Sequence, residues 1–76
     1  MENINQVLLS LEGKDVIIEH REGGVMIQCP PKKGNSTRYE VYRVTPVMVE
    51  INAITSGYQI TTIYIPIDKI LYISVT

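Results

Sequence analysis

The sequence ITTIYIPIDKILYISV, which spans residues 60–75, decides the fold of this chain. Its apolar side chains fall on both faces of an extended chain, with Ile63 on one face and Tyr64 on the other. Alternation with a period of two is typical of β-strands, and a strand face that is open to water would be polar. We therefore predict two strands whose faces are both covered. They are residues 58–65 and 70–75, joined by the link 66–69.

The oligomeric state of the chain depends on what packs against the second face of these strands. An uncovered apolar edge strand is an aggregation hazard, so we expect a second copy of the chain to cover it. The alternative is that a helix at the N-terminus covers this face within the same chain.

The composition indicates one small, mainly β domain over residues 1–76. Ile, Val and Thr account for 26 of the 76 residues, whereas Ala occurs once, and β-branched residues favour strands over helices. A chain of this length buries only about 60% of the surface that its unfolded form exposes, which favours support by oligomerisation. With one cysteine and one histidine, the chain cannot form an intramolecular disulfide or a zinc site of four Cys or His ligands. We expect no metal and no cofactor.

One helix is predicted, near the N-terminus. Its apolar stripe has the spacing i, i+3, i+4 and i+7 and consists of Ile4, Val7, Leu8 and Leu11. Asn3 and Gln6 can form a capping box at its start, and Gly13 suits the turn at its end. We expect the helix at about residues 4–12, docked on the strands because three turns are marginal alone in water.

After the helix, the apolar residues recur with a period of two along the sequence. Further strands are predicted at residues 14–20 and 25–29, around a glycine turn, and a proline-led exposed loop is predicted at 30–38. We interpret residues 39–54 as one long strand that is bent at Thr45-Pro46, because proline lacks an amide hydrogen. The expected fold is mainly β. It has an N-terminal α-helix followed by a strongly bent, five-stranded antiparallel small barrel of SH3-like type at about residues 14–76.

Two segments of the chain resemble the Sm-like family, which includes the bacterial Hfq branch. KDVIIEHREG at residues 14–23 is similar to the first strand and glycine turn of that family, and IYIPIDKILYI at residues 63–73 is similar to its closing pair of strands. The resemblance implies a homo-oligomeric ring of five to eight copies, in which the fourth strand of each subunit pairs with the fifth strand of its neighbour. Such pairing would cover the apolar terminal strands.

The chain also departs from the family pattern. In the segment 45–49 it keeps the methionine of the base-binding loop at Met48 but has Val49 where the family has the amide that reads the base. The closing link has Pro66-Ile67 in place of the usual Arg-Gly or Lys-His, and an insertion lies between Gly24 and Thr45. The family's usual base pocket is therefore not complete in this chain.

Charge is unevenly distributed, although the net charge is only −1. Residues 1–22 carry five acidic and two basic side chains, whereas residues 30–45 carry four basic and one acidic side chain. Tyrosines lie among those basic residues, and a ring beside Lys or Arg can stack on a base while the cation neutralises phosphate. The alternative is a solubilising hairpin tip without a ligand. The candidate nucleic-acid-binding residues are Lys32, Lys33, Arg38, Tyr39, Tyr42 and Arg43.

Lys69 is added to these candidates because the resemblance implies that the closing link faces the pore of the ring. The alternative is an exposed ion pair with the adjacent Asp68, which would have little energetic effect.

No motif in the sequence indicates catalysis. His20 with its acidic neighbours is interpreted as a solvated turn, and Cys29 as a small core side chain. We therefore expect that the protein is not an enzyme, although a subunit of a larger enzyme is a third possibility. The leading hypothesis is a homo-oligomeric Sm-like ring that binds single-stranded RNA or DNA in nucleic-acid processing. The alternative is a structural or protein-interaction module that uses β-edge addition and binds no nucleic acid.

No apolar run reaches the ~20 residues that a membrane-spanning helix needs, and the first residues lack the basic start of a signal peptide. We therefore expect a cytoplasmic protein without a membrane partner.

Overall fold

The computed structural model describes residues 3–31 and 37–76, and these residues form a mainly β fold with one N-terminal helix. The mainly β class predicted from the composition is confirmed. The elements in chain order are α1 (Ile4–Ser10), β1 (Asp15–Arg21), β2 (Gly24–Cys29), β3 (Arg38–Val44), β4 (Met48–Ile54), β5 (Ile60–Pro66), a single 3₁₀ turn (Ile67–Lys69) and β6 (Ile70–Val75).

Helix α1 begins with the predicted cap but ends earlier than predicted. The Asn3 side chain accepts a hydrogen bond from the Gln6 amide, and the Gln6 side chain accepts one from the Asn3 amide, so the capping box is present. The helix stops at Ser10 because the chain then turns toward β3. Gly13, at φ 83°, donates its amide hydrogen to the carbonyl of Val41 at 2.8 Å.

Residues 39–54 form two strands and not one bent strand, so the described residues contain six strands where five were predicted. The chain reverses between β3 and β4 in a tight turn that Thr45 closes. The Thr45 amide donates to the carbonyl of Met48 at 2.9 Å, and the Met48 amide donates to the Thr45 hydroxyl at 3.0 Å. Pro46, which lies between these two residues, needs no amide partner there.

The strand order is β5-β4-β3-β1-β2-β6, and neighbours are antiparallel except for the parallel pair β2 and β6. β1 joins two parts of the sheet, β5-β4-β3 on one side and β2-β6 on the other. Its first residues, Asp15 and Val16, pair with β3, and its later residues pair with β2. Among the described residues β5 pairs only with β4 and β6 only with β2, so the sheet has two edges and is not closed.

The prediction that all strands are antiparallel is wrong for β6. Pro66 at the end of β5 lies opposite Met48, whereas Ile70 at the start of β6 lies opposite Val25. The turn between them therefore carries the chain from the β4 side of the fold to the β2 side. It does not reverse the chain into a hairpin, so β5 and β6 lie at opposite edges.

Both parts of the sheet and the helix share one hydrophobic core. α1 contributes Leu8, and Leu11 at its C-terminal cap is buried as well; along β4 the buried residues alternate with less buried ones, as expected for a strand with one face on the core. The buried core residues are Leu8, Leu11, Val16, Val25, Ile27, Cys29, Val41, Val44, Val49, Ile51, Ile65 and Ile70.

β6 begins so close to β2 that Gly24 leaves no room for a side chain. A Cβ atom on Gly24 would overlap the carbonyl oxygen of Lys69 and press on the side chain of Leu71. Leu71 is the extra residue in this pair, because Val25 lies opposite Ile70 and Met26 lies opposite Tyr72. Gly24 is thus what allows the parallel strand to start at this position.

We predict that Gly24→Ala lowers the free energy of unfolding by about 1–3 kcal/mol, the usual cost of inserting a methyl group where backbone must move to admit it. Gly57→Ala is the matched control. A Cβ atom on Gly57 would have no heavy atom within 4 Å outside residues 56–58, and this variant should change stability little. Urea unfolding followed by circular dichroism measures both, and equal stabilities for the two variants would contradict the packing described here.

Candidate interaction surfaces

The structure brings four of the predicted nucleic-acid-binding residues onto one strand. Arg38, Tyr39, Tyr42 and Arg43 all belong to β3. The prediction for Lys32 and Lys33 lies outside the described residues.

Lys69 lies in a different part of the fold. Its carbonyl adjoins Gly24, which pairs with the last residue of β1, whereas Tyr39 pairs with Val16 near the start of β1. At the rise of a β-strand these two ends of β1 are roughly 15 Å apart.

Both arginines on β3 are paired with carboxylates. The Nε atom of Arg38 lies 3.2 Å from Oδ1 of Asp15, and its Nη2 atom lies 3.5 Å from Oε2 of Glu40. The Nε atom of Arg43 lies 3.8 Å from Oε2 of Glu50. Such partly exposed pairs contribute little to stability, but they reduce the positive potential that the arginines would present to phosphate.

Strand register creates these ion pairs. Asp15 lies opposite Glu40, two residues along β3 from Arg38, and Glu50 lies opposite Arg43. In the described part of this surface two arginines therefore face three carboxylates, so the surface is not basic by itself. The sequence shows these acids but not the register that places them there.

The two tyrosines of β3 have different environments. Tyr39 is half-buried and packs against the hydrophobic core. Tyr42 lies where the register of β3 and β4 shifts between Val41 and Arg43, and its side chain is 60% exposed. Of the two tyrosines, Tyr42 is therefore the one whose aromatic ring is exposed to solvent.

Each of the two edge strands exposes large apolar or aromatic side chains. Ile60 and Tyr64 on β5, and Leu71, Tyr72 and Val75 on β6, are exposed large apolar or aromatic side chains. Neither strand carries a charged residue, since their sequences are ITTIYIP and ILYISV. Edge strands of stable monomers usually carry such charges to prevent further pairing.

Helix α1 covers the inner face of the sheet and not this outer surface. It contacts β3 and β6, and Leu8 and Leu11 enter the core. Asn5 fixes its orientation by donating from its side chain to the carbonyl of Thr45 at 2.9 Å. The exposed side chains of β5 and β6 remain open in the single chain even though the helix is docked.

An apolar depression lies where the β3–β4 turn meets the link after β5. The amide of Ile67 donates to the carbonyl of Val47 at 3.0 Å and holds the two segments together. The depression has a volume of about 520 Å³ and is lined by Pro46, Val47, Pro66, Ile67 and Asp68. In the sequence both segments depart from the Sm-like pattern, but the sequence does not show that they form an apolar depression.

Residues that could support chemistry are sparse. His20 is exposed and Cys29 is buried and unpaired. In the part of the chain that the structure describes, no three His, Cys, Asp or Glu side chains are grouped as metal ligands would be. No helix within residues 3–31 and 37–76 is long and apolar enough to cross a membrane.

Comparisons of the chain with protein-family models, with curated proteins and with solved structures gave no match. The resemblance to the Sm-like family therefore stays a prediction.

Proposed function

We propose that this chain is a non-catalytic interaction module that assembles with copies of itself, the edge of β5 in one copy pairing with the edge of β6 in the next. The observation that carries this proposal is that both edge strands expose large apolar side chains and have no charged residue.

Two contributions favour edge pairing. The outer backbone donors and acceptors of an edge strand can form a hydrogen-bond ladder with another strand. The same contact removes apolar side chains from water, which contributes a favourable free energy of about 25 cal/mol for each Å² of apolar surface buried. The interior strand β3 differs from the two edge strands because it carries charged residues. Three of its seven residues are charged, namely Arg38, Glu40 and Arg43.

The two edges are different surfaces, so the contact is head-to-tail. A head-to-tail contact closes into a ring when the rotation between copies permits and otherwise continues as a filament. The resemblance to the Sm-like family supports a closed ring of five to eight copies. A cytoplasmic location, as predicted from the sequence, is part of this proposal.

Binding of single-stranded RNA or DNA by this ring is the second candidate function. It is favoured by the solvent-exposed aromatic side chain of Tyr42 beside Arg43 on β3 and by the Lys32-Lys33 pair that precedes this strand in the sequence. Repetition of the surface around a ring would multiply weak contacts with one strand of nucleic acid. Since carboxylates pair with Arg38 and Arg43, the two lysines supply most of the phosphate-binding charge in this proposal.

Tyr64→Lys and Tyr42→Lys form a matched pair of variants for the assembly. The two tyrosines are 61% and 60% exposed, but Tyr64 belongs to an edge strand and Tyr42 to an interior strand. A lysine at position 64 lies opposite Glu50, so the folded monomer should tolerate it. Pairing of the β5 edge with a second copy, by contrast, would bury the charge of this lysine. We predict at least about tenfold weaker self-association for Tyr64→Lys and no change for Tyr42→Lys.

Sedimentation velocity over a range of protein concentrations measures this difference. A wild-type chain that stays monomeric at high concentration would rule out the assembly, and equal effects of the two lysines would rule out the β5 edge as its contact.

For nucleic-acid binding we predict that Lys32→Gln combined with Lys33→Gln weakens binding of a fluorescent single-stranded oligonucleotide. The slope of log affinity against log salt should decrease by about 1 for each lysine lost. The control is Lys14→Gln combined with Arg21→Gln, which changes the net charge equally at exposed positions outside residues 30–45. An equal loss in both double variants would show a general charge effect and contradict the assigned surface.

Glu50→Gln tests whether Arg43 contacts phosphate. Removing the carboxylate that pairs with Arg43 should free its guanidinium and tighten oligonucleotide binding severalfold at low salt. Glu22→Gln removes the same charge from the exposed β1–β2 turn and should have a smaller effect. If anisotropy titrations show no difference between the two variants, Arg43 is not part of the binding surface.

A further inference from the structure

Tyr58 is the most exposed large hydrophobic residue among the described residues, at 89%. It lies at the tip of the β4–β5 turn, where the Tyr58 amide donates to the carbonyl of Thr55 at 2.9 Å and the Thr55 amide donates to the carbonyl of Gln59 at 3.1 Å. Its φ of 60° is in the left-handed region, which bulky residues seldom adopt. This turn therefore holds an aromatic ring away from the body of the protein.

The apolar depression lies at the other end of the same β-hairpin. Val47 precedes β4 and Pro66 ends β5, whereas the turn with Tyr58 follows β4 and precedes β5. The seven residues of β4 span roughly 23 Å at the rise of a β-strand. Tyr58 consequently cannot reach the depression of its own chain.

We propose that Tyr58 of one copy inserts into the depression formed by Pro46, Val47, Pro66, Ile67 and Asp68 of a second copy. The inference rests on the proposed self-assembly and names a contact within it.

The chemistry of the two surfaces is complementary. Proline and aliphatic side chains offer an apolar floor for the ring, and Asp68 is the acidic residue among the lining residues, so its carboxylate can accept a hydrogen bond from the phenol hydroxyl. The turn 55–59 reads TSGYQ and brings no charge toward Asp68. Tyr42, Tyr64 and Tyr72 lie on strands and cannot protrude in this way.

Tyr58→Asn removes the ring but keeps the turn, because asparagine tolerates a left-handed backbone. We expect this variant to weaken self-association at least about tenfold, as loss of a buried aromatic anchor does. Tyr42→Asn is the control and should change the association by less than about twofold, since Tyr42 has no role in this contact.

The hydroxyl contact has its own test. Tyr58→Phe keeps the ring and loses the donor, and Asp68→Asn alters the acceptor. Each should weaken association severalfold, and the double variant should be no weaker than either single variant. Fully additive losses would contradict a direct contact between the two side chains.

A titration between edge-blocked chains tests the insertion separately from edge pairing. The labelled chain carries Tyr64→Lys and Tyr58→Asn and bears isotope-labelled methyl groups, so it offers a depression without a tyrosine to insert. The titrant is an unlabelled chain with Tyr64→Lys alone, and the control titrant carries both substitutions. We expect shifts of the Val47 and Ile67 methyl resonances that saturate with the first titrant only.

Equal shifts with both titrants would overturn the insertion of Tyr58 and leave edge pairing untouched, since edge pairing is read from the mass of the wild-type chain and of Tyr64→Lys. Conversely, a monomeric wild-type chain at micromolar concentration, with selective methyl shifts at millimolar concentration, would remove the proposed assembly but keep the insertion as a weak contact.

Discussion

The pairing of β6 with β2 is the interaction on which the rest of the structure depends. If the last strand had folded back on β5, β5 would be an interior strand and the two edges of the sheet would be β6 and β2. Instead, the turn Ile67–Lys69 carries the chain across the fold, and Gly24 leaves the space for β6 to start beside β2. The result is a single chain with an uncharged apolar strand at each edge of its sheet.

These edges favour an interaction module over a dedicated nucleic-acid-binding surface. Arg38 and Arg43 are matched by carboxylates on neighbouring strands, and Tyr39 packs on the core. A phosphate chain approaching β3 would compete with those carboxylates. A strand approaching β5 or β6 displaces only water from apolar groups and edge backbone, so self-assembly is the more economical account of this surface.

Signals that depend on near neighbours in the sequence predicted their elements well. Asn3 and Gln6 form the expected cap, the glycine turn joins β1 and β2, and the exposed apolar residues of β5 and β6 were foreseen from alternation alone. Features that depend on the pairing of strands distant in the sequence were not predicted. Thr45-Pro46 fits a bend as well as a turn, and only the partner of β4 distinguishes them. The register that places Glu50 opposite Arg43, and the hollow beside Val47, likewise arise only once the strands are paired.

Amide hydrogen exchange measured at low and high protein concentration tests the central claim most directly. If β5 of one copy pairs with β6 of the next, the outward amides of residues 60–65 and 70–75 gain protection as concentration rises, while those of the interior strands β1 and β3 do not change. Protection of the edge strands that is independent of concentration, in a chain of monomeric mass, would contradict the account.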